Sequence, residues 1–230
     1  MIIQFSSSKE FEQLLDALAS EITHASIQFK LLQDIQYAYA DYKKVFVESR
    51  TFWGITQTAL LEATLSNLCK VYDTHSKALS LSNLLETIKA NIDMFDNVKF
   101  KLRQKNNPFV ESLAQTARRP DIRELDEDIA FTNPEKNALV QNLLVWRNNL
   151  ISHRAASHII DQKEISKDFP LTYGEISQLL DKALATMNKY DNLFRANRHS
   201  DVISGHEDYM YILKAVDEKL KRYGLTEKIM

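Results

Sequence analysis

The sequence predicts an all-α protein folded as an antiparallel helical bundle. Apolar residues recur at steps of three and four along most of the 230 residues, and nothing alternates convincingly at period two. Gly and Pro number only four each, so few residues break helices. Hydrophobic residues make up 44% and charged ones 26%, the balance of a folded chain with a sizeable core. The expected organisation is one helical domain over 1–230. It carries an insertion of short helices over 92–132 and a C-terminal helical extension over 198–230.

Ser8 caps a first helix that carries Phe11, Leu14, Leu15 and Leu18. A second helix runs through Ile27, Leu31, Ile35, Tyr39, Tyr42 and Phe46. A third spans 51–72, with Phe52, Ile55, Ala59 and Ala63 on one line and Leu61, Leu65, Leu68 and Tyr72 on another. Two apolar lines predict a central helix covered on two sides. Residues 80–91 form a short helix started by serines and an asparagine. From Ile92 to Ala130 the periodicity is weaker and the charge higher. Asn107-Pro108 and Arg119-Pro120 read there as starts of short helices, since Pro fits the first helical position.

Lys99, Lys101, Arg103, Lys105, Arg118, Arg119 and Arg123 make that middle segment locally basic. Asp121, Glu124, Asp126, Glu127 and Asp128 dilute it, so a solvated insertion is expected, with RNA contact the alternative. Asn133-Pro134-Glu135 opens a long helix expected to reach about Ile160. After a polar loop over 161–171, Thr172 and Glu175 make a capping box. The helix beyond it holds Ile176, Leu180, Ala183, Met187, Tyr190 and Phe194 at strict four–three spacing. A loop over 195–205 precedes the last helix, Tyr209 to Tyr223, ended by Gly224.

The formal net charge of −2 gives no overall attraction to nucleic acid, so any polyanion site must be a local concentration of charge. The single Cys69 excludes an intrachain disulfide and reads as core filler in an apolar helical run. No basic start with an apolar stretch and no apolar run of about 18 residues occurs, so a cytoplasmic protein without membrane contact is expected. The chain has no phosphate-binding glycine loop, no dinucleotide-binding glycine pattern and no nucleophilic serine context. His153 and His158 are five apart, poor for joint ligation on one helix, and no Cys cluster exists. Neither a metal nor a cofactor is expected.

The chemistry-bearing stretch is Trp146-Arg147-Asn148-Asn149-Leu150-Ile151-Ser152-His153-Arg154. Leu139, Leu143, Trp146 and Leu150 form an apolar line whose next member is His153. Val140, Leu144 and Ile151 form a second line, which Arg147 interrupts. Polar groups in core-facing positions cost stability unless paired. One reading is structural: a buried Arg ties helices together and a His is satisfied in the core. The other is functional, with both groups near one phosphate. A six-residue step in an ideal helix separates them by about 9 Å axially and about 120° around the axis. They would converge through a distorted turn or at a seam between two copies.

Arg147-Asn148 followed by His153 resembles the arginine–polar–spacer–histidine motif of the HEPN superfamily of all-α proteins. Phe52-Trp53, then Leu68-Cys69-Lys70-Val71-Tyr72-Asp73, then the Ser80–Asn91 helix look like the AbiU-type abortive-infection branch. The helix start Leu171-Thr172-Tyr173-Gly174-Glu175 also fits. The resemblance covers roughly Val45 to Phe194. It implies a helical bundle, usually dimeric, in a superfamily with many metal-independent ribonucleases and some inactive binding modules. By transfer, Arg147 stabilises charge on the phosphate, His153 acts as acid or base, and Asn148 orients a group or contacts RNA. HEPN toxins of nucleotidyltransferase-paired systems carry a Tyr two residues after the histidine; Ala155 stands there here.

Such chemistry suits these side chains. Attack by an RNA 2′-hydroxyl needs proton transfer, which a histidine near neutral pKa supplies, and a guanidinium fork that matches phosphate oxygens. Asn149 lies four residues before His153 and shares its face. Arg154 and His158 fall near the face of Arg147, either as a phosphate-binding strip or as solvation of the helix end. Asp73 ends the third helix and either hydrogen-bonds Arg147 or His153 or caps the Ser80 loop. The expected partners are RNA, a second copy in a homodimer seamed around Trp146 to His158, and an antitoxin or defence partner. The alternative is a non-catalytic interaction module.

Overall fold

The computed structural model describes residues 1–147, 167, 169–202 and 205–223. Among them the regular elements are helices, with no strand, as expected of an all-α HEPN-type bundle. In chain order they are α1 (Ser8–Ala38), α2 (Lys43–Glu48), α3 (Arg50–Val71), α4 (Leu81–Ala90), α5 (Asn97–Arg103), α6 (Val110–Leu113), α7 (Ile122–Thr132), α8 (Ala138–Trp146), α9 (Tyr173–Arg195) and α10 (Tyr209–Arg222). A 3-10 turn, Ile92–Phe95, lies between α4 and α5. The chain divides into two compact units. One is Met1–Thr23 with Leu65–His199, the other His24–Thr64 with Ser200–Met230. Helices α1 and α3 contribute residues to both.

The first two expected helices are one. Leu15, Leu18, Ile22, Ala25, Phe29, Leu32, Ile35 and Ala38 form an unbroken buried line along α1. Nothing between Leu18 and Ile27 breaks a helix, so the backbone ladder continues. The break comes instead after Ala38, within the expected second helix. There Asp41 and Tyr42 both donate to the Ala38 carbonyl, and the chain turns before α2. No Gly or Pro marks that turn.

In the first unit, Phe11 packs edge-on against Phe95 and Phe194, with ring centroids 6.3 and 4.8 Å away. Buried Phe100 and Leu125 extend this core. The segment 92–132 is therefore not solvated throughout, because it supplies core aromatics. Several of its basic residues are also committed within the chain. The buried Arg118 donates to the Leu113 and Asn192 carbonyls and stacks over Phe100. Arg103 donates to the Met94 and Phe194 carbonyls. Lys101 pairs with Glu111 and Arg119 with Asp93. Asp128, expected as a solvated acid, is buried and binds Lys182, Lys189 and the Tyr190 hydroxyl.

Helix starts follow side-chain caps more than prolines. Asp121, not Pro120, opens α7 by accepting from the Arg123 and Glu124 N–H groups. Asn133 makes a local turn through the Glu135 N–H, and Asn137 then caps α8 at Leu139. The motif helix thus starts at Ala138, later than Asn133-Pro134-Glu135 suggested. Thr172 and Glu175 form the expected capping box on α9.

In the second unit, Ile35, Ala38, Val45, Phe46, Trp53 and Leu213 form a buried cluster. Phe46 lies between Tyr39 and Trp53, at 5.4 and 4.9 Å. The C-terminal helix α10 joins this core through Leu213. The expectation for α3 is corrected in one half. Leu65, Leu68 and Tyr72 are buried, but Phe52 and Ile55 on the other line are 57% and 65% exposed.

Candidate functional site

Two helix ends in the first unit bring the candidate residues together. Helix α3 closes with Leu68, Cys69 and Val71, and Tyr72 follows it; all four are buried. The Tyr72 hydroxyl donates to the Leu179 carbonyl at 2.8 Å, anchoring this end to α9. Asp73 follows directly. Helix α8 buries Val140, Leu143 and Leu144, and its polar side chains fix the far end. The Trp146 indole donates to the Phe169 carbonyl at 2.7 Å, and the Asn142 amide to Pro170 at 2.8 Å. Arg147 comes next, in αR backbone geometry.

The Arg147 Nη1 lies 2.8 Å from Asp73 Oδ1, and both side chains are about a quarter exposed. The same oxygen accepts the His75 backbone N–H at 2.9 Å. Asp73 therefore serves both alternatives raised by the sequence: it holds the arginine and it orders the loop before Ser80. A carboxylate just past a helix C-terminus faces the unfavourable end of the helix dipole. Burial also works to raise its pKa. The His75 N–H and the Arg147 guanidinium outweigh this and hold Asp73 below the ordinary carboxylate range.

The loop after Asp73 is clamped from below. Buried Asn83 donates through Nδ2 to the His75 and Ala78 carbonyls at 3.0 and 2.9 Å. His75 is exposed, and its Nδ1 accepts the Lys77 N–H. Its neutral form therefore carries the proton on Nε2. Cys69 sits beneath the pair, with Sγ 3.8 Å from the Leu143 carbonyl. Burial pushes its thiol up to about 12, Asp73 adds to the rise, and Arg147 opposes it. It is core filler, not a nucleophile.

Of the residues singled out in the sequence, Arg147 and Asp73 are thus brought together. Asn148, Asn149, His153, Arg154 and His158 lie outside the described residues. Sequence reasoning missed His75 and Asn83. The spacing Asp73-Thr74-His75 was a legible signal, because an Asp accepting the N–H two residues on is a common turn. Asn83 had no such signal, since its partners are carbonyls in a neighbouring loop.

The arginine at the head of this motif, its aspartate at the end of α3 and the all-helical frame coincide with a family match over residues 8–212 to the HEPN model described as AbiU2. The chain belongs to the AbiU2 family of HEPN proteins. The match is wider than the Val45–Phe194 span that the residues alone suggested. No curated protein and no solved structure gives a match. Among the described residues of this AbiU2-family chain, no group of three His, Cys, Asp or Glu side chains is placed to hold a metal ion. No described helix is long and apolar enough to cross a membrane.

Proposed function

We propose that this AbiU2-family protein is a metal-independent endoribonuclease, acting in the cytoplasm as a homodimer in phage defence or as the toxin of a toxin–antitoxin pair. The observation that carries the reading is the Arg147–Asp73 contact at 2.8 Å. A guanidinium oriented by a carboxylate, and still partly reachable by solvent, is a preorganised cation of the kind that stabilises charge on phosphorus. In this reading the RNA 2′-hydroxyl attacks the adjacent phosphorus and the bond to the 5′ oxygen breaks. His153, assigned on the motif alone, takes the hydroxyl proton or protonates the leaving oxygen. Arg147 stabilises the charged intermediate. Asn148 orients a reacting group, and Asn149, Arg154 and His158 extend contact along the backbone of the RNA. The products are a 2′,3′-cyclic phosphate and a 5′-hydroxyl.

The test is incubation of purified protein with RNA in the presence of a chelator. Wild type cleaves and leaves cyclic-phosphate ends; Arg147→Ala and His153→Ala each lose roughly 10²–10³-fold in rate. Equal survival of RNA with wild type and His153→Ala defeats the reading.

One observation favours a second reading. Asp73 already satisfies part of the Arg147 guanidinium, as in a purely structural tie. The protein would then be a non-catalytic module that binds an antitoxin or defence partner. Thermal unfolding separates the two: under this reading Arg147→Ala loses several degrees and has no cleavage to lose.

A further inference from the structure

The loop between α3 and α4 presents two basic side chains beside Arg147. Asp73 Oδ1 accepts from Arg147 Nη1 at 2.8 Å and from the His75 backbone N–H at 2.9 Å. The guanidinium and the loop backbone thus meet on one oxygen, and the His75 side chain leaves from the next backbone atom. His75 and Lys77 are both exposed. Asp73 is neutralised by Arg147, and no further acidic residue occurs before Glu86. The charge of Lys77 is therefore not cancelled by its own loop.

Contacts from beneath and within the loop fix how it presents these groups. Buried Asn83 holds the His75 and Ala78 carbonyls at 3.0 and 2.9 Å, on either side of Lys77. The Lys77 N–H donates to His75 Nδ1 at 3.2 Å, so the neutral ring keeps its proton on Nε2. Among the described residues, neither His75 Nε2 nor Lys77 Nζ has a hydrogen-bond or ion-pair partner. Arg103, Arg118, Lys101 and Arg119 differ, because acids or carbonyls of the chain already satisfy them. A donor and a cation on a braced loop lose little freedom when an anion arrives.

The tautomer decides the role. A neutral Nε2–H donates well to a phosphate oxygen but is a poor acid, so it suits binding and not proton transfer. The ammonium beside it supplies charge. In the proposed function Arg147 takes the reacting phosphate. An RNA strand carries a phosphate at every nucleotide, so cations beside the first contact meet its neighbour.

We propose that His75 and Lys77 form a subsite for the phosphate next to the cleaved one in a single RNA strand. The His75 Nε2–H and the Lys77 ammonium are its donors. The proposal deepens the reading above and rests on its placement of RNA at Arg147. Binding is read apart from cleavage with a 2′-O-methyl RNA hexamer, which has no 2′-hydroxyl to attack. In fluorescence anisotropy wild type binds it, and His75→Ala and Lys77→Ala each weaken binding at least about fivefold. Lys77→Ala also lowers the slope of log affinity against log salt by about 0.7. His75→Gln, which keeps an N–H donor without an ionisable ring, binds more tightly than His75→Ala. Lys136→Ala, exposed before the far end of α8 from Arg147, leaves affinity unchanged. With cleavable RNA, kcat/KM of His75→Ala and Lys77→Ala falls further on a hexamer than on a dinucleoside monophosphate, which offers a single phosphate. Damage to the fold would lower both alike. Wild type that does not bind the hexamer overturns the proposal. So do alanine variants that bind like wild type, a Lys136→Ala loss of the same size, or equal losses on the two substrates. Binding with the expected losses but without cleavage defeats the ribonuclease reading alone and leaves the subsite standing.

Discussion

Asp73 and Asn83 show how single side chains build a site out of a loop. Asp73 joins two elements by accepting from Arg147 and from the His75 N–H. Removing it in Asp73→Ala leaves a half-buried guanidinium and a loop N–H without that acceptor. The expected cost is about 1–2 kcal/mol, measurable by urea unfolding. Asn83→Ala removes the donor from the His75 and Ala78 carbonyls and empties a buried position. It should cost about 2 kcal/mol, and amide exchange should speed up over 74–79. Unchanged exchange in that loop would mean that Asn83 does not order it. Cys69, with its thiol pushed up to about 12, should resist a maleimide in the folded protein at pH 8 and react once urea unfolds the chain.

At the scale of elements, local chemistry decides where helices start, and long-range packing decides where they stop. The capping box on α9 is local: Thr172 and Glu175 exchange hydrogen bonds within four residues. Thr172→Ala should therefore cost about 1 kcal/mol. Glu175→Ala on top of it should add less than it costs alone, since the two act as one unit. A double-mutant cycle in urea checks this. The end of α1 is the opposite case. Its apolar period continues past Ala38, and no breaker residue announces the turn. The chain bends there because Val45, Phe46 and Trp53 must reach Ile35, Ala38 and Leu213 to complete one core. Pattern alone could not reveal that requirement. The exposed start of α3 is a similar case: an apolar line marks one face of a helix, and the line alone does not tell whether the fold covers it.

For the whole molecule, several carboxylates set the acid limit of stability. Asp16 and Asp73 are held below 3.8, Asp16 by its hydrogen bond to Arg195 and Asp73 by the partners named above. At Asp128, burial works upward, and hydrogen bonds from Lys182, Lys189 and Tyr190 outweigh it. For each, the folded pKa is below the unfolded value of 3.8, so the unfolded state binds more protons in that window. The stabilisation is fully present above about pH 5 and is lost as pH falls through the folded values. Urea midpoints should therefore drop steeply below about pH 4, and Asp128→Asn should flatten that drop. Asp128→Ala should also cost about 3 kcal/mol at pH 7. This is the low end for a broken buried pair, because Lys182 and Lys189 are each about a third exposed and can hydrate.

By itself the sequence determined the helical class, the capping box, the resemblance to HEPN proteins and the prominence of Arg147 and Asp73. These follow from period, spacing and residue type, which are local properties of the chain. Only the tertiary structure decided that α1 is one helix, that 92–132 supplies core aromatics, and that Asp128 and Arg118 are buried. It alone set Asp73 Oδ1 2.8 Å from Arg147, with Asn83 holding the carbonyls of the loop between α3 and α4. Each of these depends on which distant side chain arrives within hydrogen-bonding or van der Waals reach. Contacts between residues tens of positions apart leave no periodic trace in the sequence, so their partners become visible only once the chain is folded.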